Sequence, residues 1–136
     1  MELKRIDHIG VIVDDLAQAA GLLRSLGLSD GPTLEREDLS AAFFPCGDVS
    51  IEVIEILDPE QRRQRLGEGQ QARIEHIAIE VDDLDATLAA LEALGIRADA
   101  PPREALGSLT FWTTAETSDG VRYQFLEKQS HPRPPA

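Results

Sequence analysis

Two stretches decide the fold of this chain: Ile6–Leu28 reads IDHIGVIVDDLAQAAGLLRSLGL, and Ile74–Ile96 reads IEHIAIEVDDLDATLAALEALGI. They align without a gap at an offset of 68 residues, the spacing between His8 and His76. This period is longer than that of short solenoid repeats, and the chain has room for only two copies. The sequence therefore predicts a duplicated half-domain rather than a stacked array.

Both copies show the same local pattern: a β-rich run around the histidine, an Asp-Asp pair, and an apolar helical stripe that ends at a glycine. Asp is a preferred N-cap residue and glycine a preferred helix terminator, so each copy predicts a strand followed by a helix capped by its Asp pair. The stripes expected to be buried are Leu16, Ala19, Ala20, Leu23 and Leu26 in the first copy, and Leu84, Leu88, Leu91 and Leu94 in the second.

The remaining apolar runs complete an α+β fold of two βαβββ modules in tandem. Two strands are predicted after each helix, joined by the turn-rich PCGD in the first half and by AETSDG in the second. A further short strand is expected in each half. The two pairs are Leu39–Phe44 with Ser50–Leu57 and Leu109–Thr114 with Val121–Lys128, and the short strands are placed at Gly31–Leu34 and Ile96–Ala98.

Composition limits the class of protein. A chain of 136 residues, 42% of them hydrophobic, predicts one domain with one core. The formal net charge of −12 argues against nucleic-acid and membrane partners, which require clustered Lys and Arg. No apolar run is long enough for a bilayer span or a signal segment, so we expect a cytoplasmic protein. The single cysteine, Cys46, fits a reducing compartment and is expected to be a small buried hydrophobe.

The boundaries of the halves follow from the repeat. Within a single domain covering 1-136, we expect repeat one at about 4-57, a linker with a short helix at about 58-72, and repeat two at about 73-128. The segment DAPPREALGS in the second half predicts a surface loop. The tail 129-136 is expected to be disordered, and His131 within it to have no function.

An oxygen donor occupies the same place in the last strand of each half. Glu52 lies in EVIE and Gln124 in QFLE, each a few residues after a glycine turn. Because side chains alternate along a strand, Glu52 shares a face with Ser50 and Ile54. Glu55 points the other way, and we expect both it and its equivalent, Glu127, to be solvated.

Four segments carry a family resemblance: IDHIGVIVDDL, GDVSIEVIEIL, IEHIAIEVDDL and DGVRYQFLE. They resemble the strand motifs of the vicinal oxygen chelate superfamily, which includes glyoxalase I, methylmalonyl-CoA epimerase, extradiol dioxygenases, and fosfomycin and bleomycin resistance proteins. The resemblance covers nearly the whole chain and is closest to methylmalonyl-CoA epimerase. It implies a curved mixed sheet around a metal cavity, and a homodimer.

Carried over by position, the metal ligands of the superfamily fall on His8, Glu52, His76 and Gln124. The implied cofactor is one divalent metal ion, either Zn, Co, Ni, Mn or Fe. The implied partner is a small-molecule carbonyl or acyl-thioester substrate. The sequence departs from the epimerase at Gln124, where the epimerase usually has a glutamate that is thought to move a proton. An amide can coordinate a metal but cannot act as an acid or base near neutral pH.

The resulting hypothesis is a divalent-metal-dependent isomerase or epimerase that acts through an enolate next to a carbonyl, with Glu52 as catalytic base. Glu35 and Glu37 are considered as a second acid or base, although solvated loop charges are the expected role. Two alternatives stay open: a glyoxalase I-type lyase, and a non-catalytic small-molecule binding protein of the resistance type. Three aromatic residues are considered for the pocket lining: Phe44, which we expect to pack in the core instead, Trp112 and Tyr123.

Overall fold

The computed structural model describes residues 1–129, and their elements confirm the α+β class. The predicted tail, with His131, lies outside the described residues except for Gln129, whose backbone N–H donates to the carbonyl of Gly107. The strands are β1 (Arg5–Val13), β2 (Thr33–Glu35), β3 (Leu39–Cys46), β4 (Val49–Ile56), β5 (Ala72–Glu80), β6 (Arg103–Ala105), β7 (Ser108–Trp112) and β8 (Arg122–Lys128); the helices are α1 (Leu16–Ser25), α2 (Pro59–Arg65) and α3 (Leu84–Ala93).

Two compact units are present. One is Asp7–His76, and the other, called here the Ile77 unit, is Met1–Ile6 together with the described chain from Ile77 to Gln129. In the Asp7–His76 unit the strands are hydrogen-bonded in the order β2-β3-β4-β1-β5, with β1 parallel to β4 and the β2-β3-β4 pairs antiparallel. In the Ile77 unit the order is β5-β8-β7-β6, with antiparallel β6-β7-β8 pairs. Strand, helix and three strands thus occur twice along the chain, and α2 occupies the predicted linker.

Each long helix ends in the same way. The N–H of Leu28 donates to the carbonyl of Leu23, and the N–H of Gly27 to that of Arg24, which is the Schellman pattern around a glycine of positive φ. The second copy repeats both bonds around Gly95. Leu26 and its equivalent Leu94 were predicted to be buried, and this is wrong: each is 69% exposed, because the chain reverses there and the residue after the glycine packs on the core instead.

Each long helix begins with two carboxylates. Asp15 and Asp83 accept hydrogen bonds from backbone N–H groups of the first turn, which confirms them as caps. Glu55 accepts from the N–H of Leu16, and Glu127 accepts from the first N–H of α3. The expectation that these two glutamates are solvated is therefore wrong. Glu55 points away from Glu52, as predicted, but each glutamate accepts a hydrogen bond from a backbone N–H that has no partner within its helix, at the positive end of the helix dipole.

The short strand of the second half was placed incorrectly. Of Ile96–Ala98, only Ala98 forms an isolated bridge, to Thr113, and β6 lies at Arg103–Ala105 within the predicted loop. Its turn to β7 consists of Leu106 and Gly107, both with positive φ. Leucine rarely adopts that conformation, so the sequence did not resemble a hairpin.

Both faces of the sheet in the Asp7–His76 unit are covered by apolar side chains. On the helix face, fully buried Phe44 packs with Val13, Val53 and α1, which confirms its core role. The opposite face, called here the site face, carries a cluster that Leu66 covers just after α2; its other members are Ile12, Leu39, Ala41, Ile54 and Ile56. Cys46 was expected to be buried but is exposed, because it ends β3 beside the Gly47 turn.

None of the helices within residues 1–129 is long and apolar enough to cross a membrane.

Candidate metal centre

Three potential metal ligands from three strands meet on the site face of the Asp7–His76 unit. His8 lies on β1, Glu52 on β4 and His76 on β5, and all three are buried. Nε2 of His8 lies 3.4 Å from Oε1 of Glu52, and Nε2 of His76 lies 3.5 Å from the same oxygen. One ligand atom from each residue lies within 4.8 Å of the others. The structure therefore joins the two aligned histidines to the oxygen donor of the first half.

Strand register produces this meeting. β1 runs parallel to β4 with His8 beside Ser50 and Gly10 beside Glu52, so these side chains share one face. Across the other edge of β4, Phe43 lies opposite Glu52, and its ring contacts that of His8 edge to face at 5.4 Å between centroids. Phe43, which was not among the residues predicted from the sequence, is thus the aromatic residue that packs against His8.

The spacing of the three residues fits a metal ion. Donor atoms of a tetrahedral zinc site, with bonds near 2.0–2.1 Å, lie about 3.4 Å apart. The two distances between histidine nitrogens and Glu52 match that separation. Two imidazoles and one carboxylate also form a donor set that suits Zn²⁺ and its divalent neighbours. These residues could hold a divalent cation without moving far.

A carboxylate orients each imidazole. Nδ1 of His8 donates to Asp7 at 2.8 Å, and Nδ1 of His76 donates to Glu75 at 3.0 Å. A carboxylate only accepts hydrogen bonds, so each Nδ1 carries a proton and Nε2 is the nitrogen that can coordinate. These two carboxylates were not among the residues predicted from the sequence, although an acidic residue precedes the histidine in both copies.

The second carboxylate is itself held by an arginine. Nε and Nη2 of Arg65, the last residue of α2, each donate to one oxygen of Glu75 at 2.7 Å. Burial raises the pKa of Glu75, but Arg65 outweighs that effect and lowers the pKa to about 2. The sequence predicted α2 only as part of a linker. In the structure, Arg65 of this helix holds Glu75, which orients His76.

Electrostatics in the cluster favour a positive charge. Burial raises the pKa of Glu52, but hydrogen bonds to the two histidines hold it below its usual value. Burial lowers the pKa of His8, but Asp7 and Glu52 outweigh it and raise that pKa to about 9, and the pKa of His76 is raised in the same way by Glu52 and Glu75. A buried carboxylate needs a compensating charge, which protons or a metal cation can supply.

Space for the imidazole of His76 depends on a glycine. A Cβ added at Gly10 would overlap with Cε1, Nε2 and Nδ1 of that ring. Gly10 lies on β1, the strand next to β5, and the absence of a side chain there leaves room for the ring. In the second copy the equivalent position is Ala78.

Gln124, the fourth predicted ligand, belongs to the Ile77 unit. It is buried on β8, and its side-chain N–H donates to the hydroxyl of Thr110 at 3.0 Å. Within the described chain its Oε1 accepts no hydrogen bond. Trp112 lies directly opposite Gln124 across the β7-β8 pair, as Phe43 lies opposite Glu52. An aromatic residue thus faces the oxygen donor in both copies.

The other residues considered from the sequence lie elsewhere. Glu35 pairs with Ser40 and accepts a hydrogen bond from its hydroxyl, and the register of β3 places Ser40 on the face opposite Glu52. Glu37 is exposed between β2 and β3. Tyr123 packs with the core beneath α3 rather than on the face of Gln124.

Comparisons with known proteins identify the family of the chain and proteins similar to it. The model of the Glyoxalase/Bleomycin resistance protein/Dioxygenase superfamily matches residues 7–111. The uncharacterized protein YqjC of Bacillus subtilis (strain 168) is 28% identical over 130 residues, which is 92% of this chain and 93% of that protein.

Among solved structures, methylmalonyl-CoA epimerase from Mycobacterium tuberculosis has a TM-score of 0.83 at 22% identity, covering 96% of this chain and 91% of that one. A variant of the Streptomyces coelicolor methylmalonyl-CoA epimerase in complex with 2-nitronate-propionyl-CoA also has a TM-score of 0.83 at 22% identity, covering 95% of this chain and 100% of that one. These structures share the fold. The superfamily model matches most of the chain, and this match shows that the chain belongs to the glyoxalase/bleomycin resistance protein/dioxygenase superfamily.

Proposed function

We propose that this chain is a divalent-metal-dependent isomerase or epimerase that moves a proton at the carbon next to a carbonyl. One observation carries the proposal: Nε2 of His8, Nε2 of His76 and a carboxylate oxygen of Glu52 converge at distances typical of metal ligands. The buried carboxylate of Glu52 between two histidines needs a compensating positive charge, and a metal cation is one way to supply it.

A bound divalent cation would polarise the substrate carbonyl and stabilise an enolate. The residues of the chain supply the other functions. His8 and His76 direct their Nε2 atoms toward Glu52, because Asp7 and Glu75 accept hydrogen bonds from the Nδ1 atoms and so fix the ring orientation. Glu52 is the proposed base, because it is the carboxylate that faces the two histidines and its lowered pKa keeps it in the ionised form that a base requires. Phe43 contributes an apolar ring in contact with His8.

Gln124 is proposed as the fourth ligand, and this stays a prediction. Its buried Oε1, which accepts no hydrogen bond within residues 1–129, supports the idea. As a neutral ligand it would leave Glu52 as the single anionic donor, so a divalent site would keep a net charge of about +1. That charge suits stabilisation of an oxyanion.

The proposed substrate is a small carbonyl compound or an acyl thioester. Support comes from the fold, because the Streptomyces coelicolor epimerase with the same fold binds 2-nitronate-propionyl-CoA. The superfamily contains several reactions, so the site rather than the fold must decide between them.

A glyoxalase I-type lyase is the second candidate, and one observation favours it. Epimerisation requires removal of a proton from one side of a carbon and its return on the other, which normally takes two groups. Glu35 lies on the face opposite Glu52, and an amide such as Gln124 cannot move a proton. A lyase of this type needs only one base to carry a proton between adjacent carbons.

The test combines metal analysis with proton exchange. Purified wild type should contain about one divalent ion per chain, and His8→Ala and His76→Ala should each remove it. Solvent deuterium should then enter the α-carbon of candidate acyl thioesters, and Glu52→Gln should abolish this exchange at equal metal content. Glu60→Gln, at an exposed position of α2, is the matched control and should behave as wild type.

The outcomes separate the candidates. Exchange with inversion at the α-carbon supports the epimerase, and release of a free thiol and a 2-oxoaldehyde from a 2-hydroxyacyl thioester supports the lyase. Full metal occupancy in the doubly substituted His8→Ala/His76→Ala protein would refute the proposed centre. Metal binding without any exchange would indicate the binding protein of the resistance type.

A further inference from the structure

A second group of functional side chains surrounds the single tryptophan of the chain. In the Ile77 unit, the guanidinium of Arg103 lies over the ring of Trp112 at 4.6 Å from its centroid, and that of Arg122 lies at 5.9 Å. Asp99 is near both, 3.6 Å from Nη1 of Arg103 and 3.2 Å from Nη2 of Arg122. We call these four residues the Trp112 cluster.

The cluster lies on the same face of the sheet as Gln124. Trp112 is directly opposite Gln124 in the β7-β8 pair, and Arg103 is opposite Thr110, whose hydroxyl accepts from the Gln124 amide. Arg122 precedes Gln124 by two residues in β8, so its side chain leaves the strand on that face as well. The alternate residues, Phe111 and Phe125, point to the other face and pack beneath α3.

The cluster carries more positive than negative charge. Two arginines against one aspartate leave about one excess positive charge on a protein whose formal net charge is −12. Asp99 satisfies only part of the donor capacity, because each guanidinium has five N–H groups and the Arg103 contact is longer than a hydrogen bond. The side chains of Arg103 and Arg122 are 42% and 30% exposed, so a ligand can reach them while the indole shields one side of each guanidinium.

We propose that the Trp112 cluster binds an oxyanion, a carboxylate or phosphate group of a ligand. Planar guanidinium groups pair with such groups through parallel hydrogen bonds, and stacking on the indole holds their planes in place. Asp99 acts as an internal carboxylate with which the ligand competes for the two arginines. That the anion belongs to the substrate of the candidate metal centre rests on the proposed function; that the cluster binds an anion does not.

The test uses the fluorescence of Trp112, which reports on this position alone because the chain has no other tryptophan. Malonate, inorganic phosphate and neutral malonamide are titrated at constant ionic strength into protein stripped of metal with EDTA. We expect a saturable change with malonate, phosphate or both, and none with malonamide. Saturation by malonate alone identifies a carboxylate site and by phosphate alone a phosphate site. An equal response to malonamide, or no saturable response to either anion, would overturn the proposal.

Substitutions test the cluster in both directions. Arg103→Gln and Arg122→Gln should each weaken anion binding about tenfold, the loss of one charged hydrogen-bonding partner. Asp99→Asn removes the competing carboxylate and should strengthen binding about threefold, which damage to the fold could not do. Arg24→Gln is the matched control, because Arg24 likewise pairs with an aspartate, Asp30, and lies over an aromatic ring, that of Phe44. Weaker binding in Asp99→Asn, or equal losses in Arg24→Gln, would contradict the assignment.

The same titration in His76→Ala separates this proposal from the metal centre. Anion binding that persists when metal binding is lost shows that the cluster works by itself. If wild type binds metal but its tryptophan signal ignores both anions, the Trp112 cluster proposal fails while the proposed function stands.

Discussion

The imidazole of His76 lies against the α-carbon of Gly10, in space that a Cβ at Gly10 would fill. Both residues belong to the Asp7–His76 unit, on neighbouring strands β1 and β5. The glycine of the DHIG motif is therefore explained by contact with a side chain 66 residues further along the chain rather than by its own backbone conformation.

Gly10→Ala should displace the His76 ring and weaken metal binding by at least about tenfold, because Nε2 of His76 would leave the position near Glu52. Titration with Co²⁺, followed by its visible absorption, measures the affinity and the ligand geometry. Gly21→Ala is the control: Gly21 lies in α1 with open space around it, so alanine should raise the free energy of unfolding by about 0.5–1 kcal/mol and leave Co²⁺ binding unchanged. Equal Co²⁺ affinity in Gly10→Ala and wild type would contradict this role of the glycine.

Arg65→Lys should lower metal affinity by about tenfold or more, because a lysine keeps the charge near Glu75 but cannot make both parallel hydrogen bonds that orient it. The Co²⁺ spectrum should change as well, since His76 loses its fixed partner. Arg63→Lys tests the specificity of the effect, because Arg63 lies on the same helix but is exposed and pairs with Glu60. A loss of thermal stability in Arg65→Lys without a change in Co²⁺ affinity would show that the arginine is only structural.

Gln124 tests the chemistry of the fourth proposed ligand. Gln124→Ala should weaken metal affinity yet leave measurable turnover at saturating metal, because Glu52 would remain as the base. Gln124→Glu adds a negative charge, so it should tighten metal binding while reducing the positive charge left to polarise a carbonyl. Metal content and deuterium exchange, measured in parallel, check both. Unchanged metal affinity in both variants would remove Gln124 from the ligand set.

Glu80 should make stability depend on pH in the acid range. Its buried carboxylate accepts a hydrogen bond from Arg5 and lies near Lys4 and Lys128. Burial raises the pKa of Glu80, but these cations outweigh it and hold the pKa below its usual value. A depressed pKa stabilises the fold above the unfolded pKa of about 4.3, and this contribution is lost as the pH falls through the folded pKa.

In metal-free protein, Glu80→Gln should therefore lower the free energy of unfolding by about 1 kcal/mol at pH 7, a modest value because the cationic partners are partly exposed. The difference from wild type should shrink as the pH falls below about 4, which urea unfolding at several pH values measures. Glu92→Gln, at an exposed position of α3, should show no such trend. A constant difference across the whole range would contradict the linkage.

The superfamily resemblance predicts a homodimer. Sedimentation equilibrium from low to high micromolar concentration should give about twice the chain mass. A chain mass throughout that range would count against this prediction.

Repetition explains why the sequence was informative about the site. Two histidines in equivalent strands are a stronger pattern than either alone, and the period-two alternation of β4 placed Glu52 and Glu55 on opposite faces. The same repetition also contains an acidic residue before each histidine, Asp7 and Glu75, but only the folded structure shows that each carboxylate binds the Nδ1 of the histidine that follows it.

Local sequence determined the elements of this protein: the strand and helix order, the caps at Asp15 and Asp83, and the glycine that ends each long helix all depend on interactions between residues a few positions apart. Only the tertiary structure decided the contacts between residues that are far apart in the sequence. It brought the carboxylates of Glu55 and Glu127 to the first N–H groups of the two long helices, and it placed the imidazole of His76 against Gly10. It also brought Arg65 of the linker to Glu75. The physical reason is that these contacts join atoms through strand pairing and packing, so their partners are fixed only when the sheet has formed.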